Sequence, residues 1–191
     1  MVKTLEIPSH LVFPQDLALL SRKVKELKPG EKLEVLFPNS RGEKIKQWCS
    51  ETGNRLLLLE NGRALIERGK GFHGVCLNEK LSFYLWGVKL HTSEFWLKVT
   101  GRYPRYLFNF ISINEALKSL NILPKLNVKY KLLPSPKEIE GYCGFAVGFD
   151  SLQNCEKTFL TLLKTGLGVE IIFERRERGF KILKGAWEYS L

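Results

Sequence analysis

The chain has 191 residues and a formal net charge of +10; 44% of its residues are hydrophobic and 26% charged, with 16 glycines and 8 prolines. That is enough chain to bury a core as one domain or as two small ones, and the composition excludes a fibrous or disordered polymer. The positive excess is dispersed, +3 over residues 1–69, +4 over 70–105 and +3 over 106–191, with no Arg/Lys tract or RNA-binding aromatic signature, so acidic protein partners are expected ahead of nucleic acid.

The N-terminal stretch Met1-Val2-Lys3-Thr4-Leu5-Glu6 lacks the apolar run of a signal peptide, which predicts a cytoplasmic setting with reduced thiols. No stretch reaches the ~18 apolar residues of a membrane span. The nearest, Leu81 to Val99, is interrupted by Lys89, His91, Glu94 and Lys98. Membrane partners are therefore not expected.

Val2 to Ile7 has strand character. After Pro8, the segment Leu11 to Leu27 places Leu17, Leu20, Val24 and Leu27 at helical spacing, and Lys28-Pro29-Gly30 stops it. Leu33 to Phe37 is a second strand, Arg41 to Thr52 a second helix ending at Gly53, and Leu56 to Glu60 a third strand. Asn61-Gly62 then predicts a tight hairpin into a strand over Ala64 to Glu67. The order is β-α-β-α-β-β.

Residues 70–104 predict a connecting segment. Gly69-Lys70-Gly71-Phe72-His73-Gly74 reads as a hinge: it is glycine-rich but lacks the ending of a phosphate-binding loop. Phe83, Tyr84, Trp86, Phe95 and Trp96 are too many aromatics for a free linker, so one or two packed helices are expected there, or else a surface for a partner.

Beyond it, Tyr106 to Ile111 is a strand, and Ser112 with Glu115 forms a capping box for a helix through Leu120. Strands follow at Val128 to Leu133 and Phe145 to Phe149, then a helix over Leu152 to Lys164 ending at Gly166. A strand over Val169 to Glu174 and a possible edge strand from Phe180 to Trp187 complete the chain. The run Glu174-Arg175-Arg176-Glu177-Arg178 reads as a solvated hairpin end. This is β-α-β-β-α-β, the split βαβ order of a ferredoxin-like sheet. The fold class is α+β: two small two-layer α/β sandwiches over 1–69 and 105–191, joined by 70–104.

The four cysteines, Cys49, Cys76, Cys143 and Cys155, show no CxxC and no Cys/His pair at ligand spacing, so neither a metal nor another cofactor is expected. Cys143 is the candidate for chemistry. It follows Pro134-Ser135-Pro136-Lys137-Glu138-Ile139-Glu140, lies between Gly141-Tyr142 and Gly144, and opens an apolar strand. The prolines restrict φ and the glycines remove side chains that would crowd the sulfur. The same pattern also suits a buried structural cysteine beside a sharp turn. Lys137, Lys129 and Lys131 offer positive charge to such a thiol and Tyr142 a hydrogen bond, while Cys49, Cys76 and Cys155 read as structural. His73 and His91 have no acid or nucleophile at a recognisable spacing.

Pro134, Pro136, Ile139, Cys143 and Gly144 give residues 105–175 a resemblance to the selenium/sulfur carrier-like domain family. The resemblance implies a thiol, Cys143, that carries sulfur or selenium, with Gly144, Tyr142 and Lys137 around its cargo. Residues 2–68, through their element order and Lys28-Pro29-Gly30, resemble the TusA/SirA-like sulfur-carrier fold. That family opens its first helix with Cys-Pro-x-Pro; here the residues are Phe13-Pro14-Gln15-Asp16, and phenylalanine cannot form a persulfide. Together the resemblances imply a sulfur carrier or relay acting through Cys143, with sulfur-donor and acceptor proteins as partners, rather than a turnover enzyme. A non-catalytic adaptor for a sulfurtransferase or a metalloenzyme maturation partner, and a basic nucleic-acid-binding module, are the alternatives.

Overall fold

A computed structural model of the chain describes residues 2–70, 80–136, 139 and 144–190, with the side chains of all of these except 39 and 80–86. The first unit comprises β1 (Lys3–Glu6), α1 (Gln15–Lys25), β2 (Lys32–Leu36), α2 (Gly42–Thr52), β3 (Arg55–Glu60) and β4 (Arg63–Glu67). Its sheet runs β1-β2-β4-β3, with β1 parallel to β2 and the other pairs antiparallel. Period-two burial sets the register: Leu33 and Val35 of β2 and Ala64 and Ile66 of β4 face inward between more exposed neighbours. Both helices lay an apolar stripe on that face, Leu17, Leu20 and Val24 from α1 and Ile45, Trp48, Cys49 and Thr52 from α2.

The turn chemistry follows the residues. Gly62 takes φ 79° in the two-residue connection that joins Glu60 to Arg63, and Gly53 takes φ 70° to close α2, its N–H donating to the Cys49 carbonyl. Helix α1 starts at Gln15, four residues later than the periodicity predicts. Pro14 is the cause, since a proline disfavours helical backbone in the residue before it; the Phe13–Pro14 peptide is cis. Leu11 is buried ahead of the helix rather than within it.

A single helix, α3 (Lys80–Val99), occupies the described part of the connecting segment and packs against the second unit; residues 71–79, with Gly71 to Gly74 of the expected hinge, lie outside the described residues. That unit comprises β5 (Tyr106–Phe110), α4 (Ile113–Ser119), β6 (Lys131–Pro134), β7 (Phe145–Phe149), α5 (Leu152–Lys164), β8 (Val169–Arg175) and β9 (Phe180–Gly185). The sheet order is β6-β7-β5-β8-β9 with every pair antiparallel, so the split βαβ arrangement holds and the tail adds β9 at the edge. Strand β6 begins at Lys131, not Val128. A 3-10 turn over Leu123–Leu126 and the left-handed Asn127 precede it, and β7 offers partners only from Gly148 to Phe145.

The strands β7 and β8 are buried along almost their whole length because both faces of this sheet are covered. On one face Phe108, Phe110, Phe145 and Phe149 pack with Phe159 of α5, ring centroids 5.6–5.8 Å apart. On the other, α3 covers β6 and α1 reaches β8. The charged run after Phe173 departs from the solvated expectation at its first residue: Glu174 is buried and paired with Arg105 and Arg176 at 2.8 and 2.5 Å.

The two units share buried side chains. One apolar cluster holds Leu20, Val24 and Trp48 together with Phe108, Phe110 and Phe159. Polar bonds cross with it. Trp48 Nε1 donates to the Ile111 carbonyl at 3.2 Å, Gln15 Nε2 donates to the Ala186 and Tyr189 carbonyls at 2.8 and 2.6 Å, and Ser112 Oγ donates to Glu51 at 2.7 Å.

Candidate functional site

The described ends of the β6–β7 connection are held together. Pro134 pairs with Phe145, the Ser135 N–H reaches the Gly144 carbonyl at 3.4 Å, and the Ile139 N–H donates to the Pro136 carbonyl at 2.9 Å, which turns the chain after the two prolines. From there Ile139, 4% exposed, packs on Ile171 and Phe173 of β8. Gly144 is exposed, and a Cβ there would stand 3.0 Å from Ile113 Cδ1 at the start of α4, tighter than ordinary contact. Of the residues singled out from the sequence, Gly144 is thus placed; Cys143, Tyr142 and Lys137 lie outside the described residues.

Two cavities border the described parts of this loop. The first, about 590 Å³, is walled by Pro134, Ser135 and Pro136 and by Lys98, Tyr103, Arg175 and Arg176. Lys98 and Arg175 each lie 5.4 Å from the Tyr103 ring centre, a cation–π arrangement that gathers positive charge beside the proline turn, with Glu94 and Glu177 also lining the space. The second, about 360 Å³, has Ile139 as one wall and the polar groups Arg22, Lys25, Glu26, Asn109 and Glu170 among the others.

The polar group beneath Ile139 was not anticipated. Between Phe108 and Phe110 the β5–β8 register slips, setting Glu170 and Ile171 against Asn109 as a β-bulge. Asn109 completes the interrupted ladder: its Oδ1 accepts from the Ile171 N–H at 3.1 Å and its Nδ2 donates to Glu170 Oε2 at 2.7 Å. Lys25, from the last turn of α1, pairs with the same carboxylate oxygen. Lys25 is 7% and Glu170 0% exposed. The available signal was a single carboxylate in the apolar run Val169-Glu170-Ile171-Ile172-Phe173, since an acidic residue there needs a buried partner.

Lys131, expected near the thiol, is committed elsewhere. Its Nζ binds the Arg102 carbonyl at 2.8 Å and Asp150 at 3.0 Å, at the end of β6 away from Pro134. Glu115 likewise departs from the capping box. Ser112 Oγ accepts from the Glu115 N–H at 3.4 Å, but the Glu115 carboxylate accepts from the Gly168 N–H at 2.8 Å and pairs with Lys118. Phe13, where the carrier-fold resemblance would place a nucleophile, stands under Lys44, whose Nζ is 3.5 Å from the ring centre. It lines a cavity of about 130 Å³ shared with Ile111 and Glu115 of the second unit.

Two other thiols are placed, and both are core. Cys49 is 2% and Cys155 0% exposed; burial pushes Cys49 up to about 12, and burial, aided by Glu156, pushes Cys155 up as well. Neither reaches the thiolate state at neutral pH. In the native protein, iodoacetamide at pH 8 is expected to leave Cys49 and Cys155 unmodified, checked by peptide mass mapping, and modification of either without denaturant would contradict their burial. Unfolded thiols ionise near ~8.5 while these stay protonated, so the folded chain holds more protons above that pH. Stability therefore falls as pH rises beyond ~8.5, by at most about 1.4 kcal/mol per unit for each thiol.

The architecture of the second unit defines a class: a small split βαβ sheet, two helices on one face, and a proline-punctuated connection between the edge strand β6 and its neighbour β7. Within that class, residues 105–174, from the approach to β5 almost to the end of β8, match the family described as "Putative Se/S carrier protein-like". This part of the chain is a selenium/sulfur carrier-like domain. No curated protein and no solved structure matches the chain. Among the described residues, no helix is long and apolar enough to cross a membrane.

Proposed function

We propose that the protein is a sulfur, or selenium, carrier in which Cys143 holds the cargo as a persulfide. The observation that carries this reading is the match over residues 105–174, which spans Pro134, Pro136, Ile139, Cys143 and Gly144. The burial of Cys49 and Cys155 adds support, because a carrier thiol must be a reachable thiolate.

In the transfer, the Cys143 thiolate attacks the outer sulfur of a donor persulfide. A Cys143 S–S bond forms, the donor's S–S bond breaks, the donor leaves as its thiolate, and the proton stays with the transferred sulfur; no net oxidation occurs. The reverse attack by an acceptor thiolate completes the relay. Lys137 favours the thiolate, Tyr142 donates to the sulfur, and Gly144 keeps the approach clear. Residues 1–69 act as a TusA/SirA-like unit that has exchanged its carrier cysteine for Phe13, and 70–104 connect it to the carrier domain of 105–191. The setting is cytoplasmic, with a cysteine desulfurase type of donor.

Incubation with a cysteine desulfurase and cysteine is expected to add about 32 Da, one sulfur atom, at Cys143, read by intact mass and peptide mapping. Cys143→Ser abolishes the adduct while leaving the circular dichroism spectrum unchanged. An adduct of equal yield on the variant, or none on the wild type, overturns the proposal. One observation favours an adaptor as the second reading. On α3, Phe95, Trp96 and Val99 are 62%, 60% and 63% exposed, an apolar face suited to a protein partner. Capture of a sulfurtransferase that survives Cys143→Ser and is lost in Trp96→Ala would support it.

A further inference from the structure

Helix α3 is apolar on two opposite sides. Leu90 is buried and Leu97 packs with Tyr103, Leu107 and Leu133, so one side is spent on the second sheet. On the other side Val88, Phe95, Trp96 and Val99 are 49%, 62%, 60% and 63% exposed, and the Phe95 and Trp96 rings meet edge to face with centroids 6.3 Å apart. A helix that is apolar all round is normally covered all round, and a contiguous exposed patch of this kind marks an interaction surface.

The pattern of the open side narrows what fits it. Val88, Thr92, Phe95 and Val99 follow one another at alternating four- and three-residue intervals, the seam of a helix that packs along another helix. The seam holds the polar Thr92 at its middle, whose Oγ1 donates to the Val88 carbonyl at 2.8 Å, whereas a helix lying in a lipid surface needs a broad, unbroken apolar face.

The borders of the seam are cationic. Lys89 is exposed on one flank, and His91 and Lys98, side chains 73% and 59% exposed, stand on the other; Glu94, 16% exposed, lies behind them and pairs with Lys98 at 2.8 Å. Charges at flanking positions set the choice of a partner helix. A second copy of this chain would bring the same cationic borders and repeat the charge, while a helix with carboxylates at its own flanks answers it.

We infer that α3 is the docking face for an acidic amphipathic helix of a partner protein, with the partner's apolar stripe on Val88, Phe95, Trp96 and Val99 and its carboxylates toward Lys89 and Lys98. The inference rests on the adaptor reading for its docking face, gives that partner its chemistry, and requires nothing of Cys143.

A labelled peptide of about three heptads, with leucine at the seam positions and glutamate at the flanking ones, tests this by fluorescence anisotropy against the full chain. It is expected to bind with Kd below about 100 µM, and the same peptide with lysine in place of glutamate at least about tenfold more weakly. Trp96→Ala, at an exposed position, is expected to weaken the acidic peptide about tenfold, and Lys89→Glu to weaken it at least about threefold while strengthening the lysine peptide. No binding of the acidic peptide at about 1 mM, equal affinity for the two peptides, or an unaltered affinity in either variant overturns the inference. A Trp96-dependent homodimer in sedimentation, or Trp96-dependent binding to phosphatidylserine vesicles, in place of peptide binding overturns it too. Capture of a sulfurtransferase through Trp96 without binding of the acidic peptide overturns the inference and leaves the adaptor reading standing.

Discussion

Replacing Lys25 with methionine is expected to destabilise the protein by about 3–5 kcal/mol, measured by urea denaturation at neutral pH. The ammonium and the Glu170 carboxylate form a pair with side chains 5% and 0% exposed. Removing one partner leaves the other charge in a space where water cannot replace it, with Asn109 Nδ2, among the described residues, still donating to the carboxylate. The methionine stem preserves most of the packing volume, so the loss reports the charge. The double replacement Lys25→Met with Glu170→Leu is expected to recover most of the deficit, because an apolar pair of similar size avoids the desolvation of both ions. A loss below about 1 kcal/mol in the single variant would mean that the pair is open to solvent in solution. Because Lys25 belongs to α1 and Glu170 to β8, the pair also ties the first unit to the sheet that carries the candidate thiol.

Trp48→Ala should cost a similar amount, about 3–5 kcal/mol, through a cavity at the junction of the two units. The indole is 2% exposed, packs in the cluster shared with Phe108 and Phe110, and donates from Nε1 to the Ile111 carbonyl at 3.2 Å. The readout extends beyond magnitude. With a continuous core, far-UV circular dichroism and the fluorescence of the remaining tryptophans, Trp187 of the second unit among them, should shift to lower urea together. Separate transitions, with only one displaced, would show that the units unfold independently. Trp48→Phe retains most of the ring and removes the donor, so a smaller loss of about 1–2 kcal/mol is expected there.

The contrast between these residues shows what was legible. Trp48 could be placed from its spacing: Ile45, Trp48, Cys49 and Thr52 repeat at helical intervals, and such a stripe must face a core. Lys25 could not, because it lies beside the apolar stripe of α1 and reads as a solvated lysine until Glu170 is brought to it from 145 residues away. The capping pair Ser112 and Glu115 illustrates the same divide within three residues. Serine bonds locally, as its position dictates, whereas the glutamate takes a better partner in the Gly168 N–H, which approaches only in the folded sheet.

Hydrophobic periodicity, turn glycines and prolines are local, so the sequence by itself determined the two element orders, the Asn61-Gly62 hairpin, the helix stop at Gly53 and the proline-bounded loop that holds the carrier-like residues. Only the tertiary structure decided which polar residues became buried partners and which stayed in water. It slipped the β5–β8 register so that Asn109 faces both Glu170 and Ile171, turned Lys131 toward Asp150, and laid Ile139 over a cavity that α1 of the other unit helps to build. These outcomes depend on the energy of burying a charge or an unpaired donor, and that energy is set by neighbours distant in the chain.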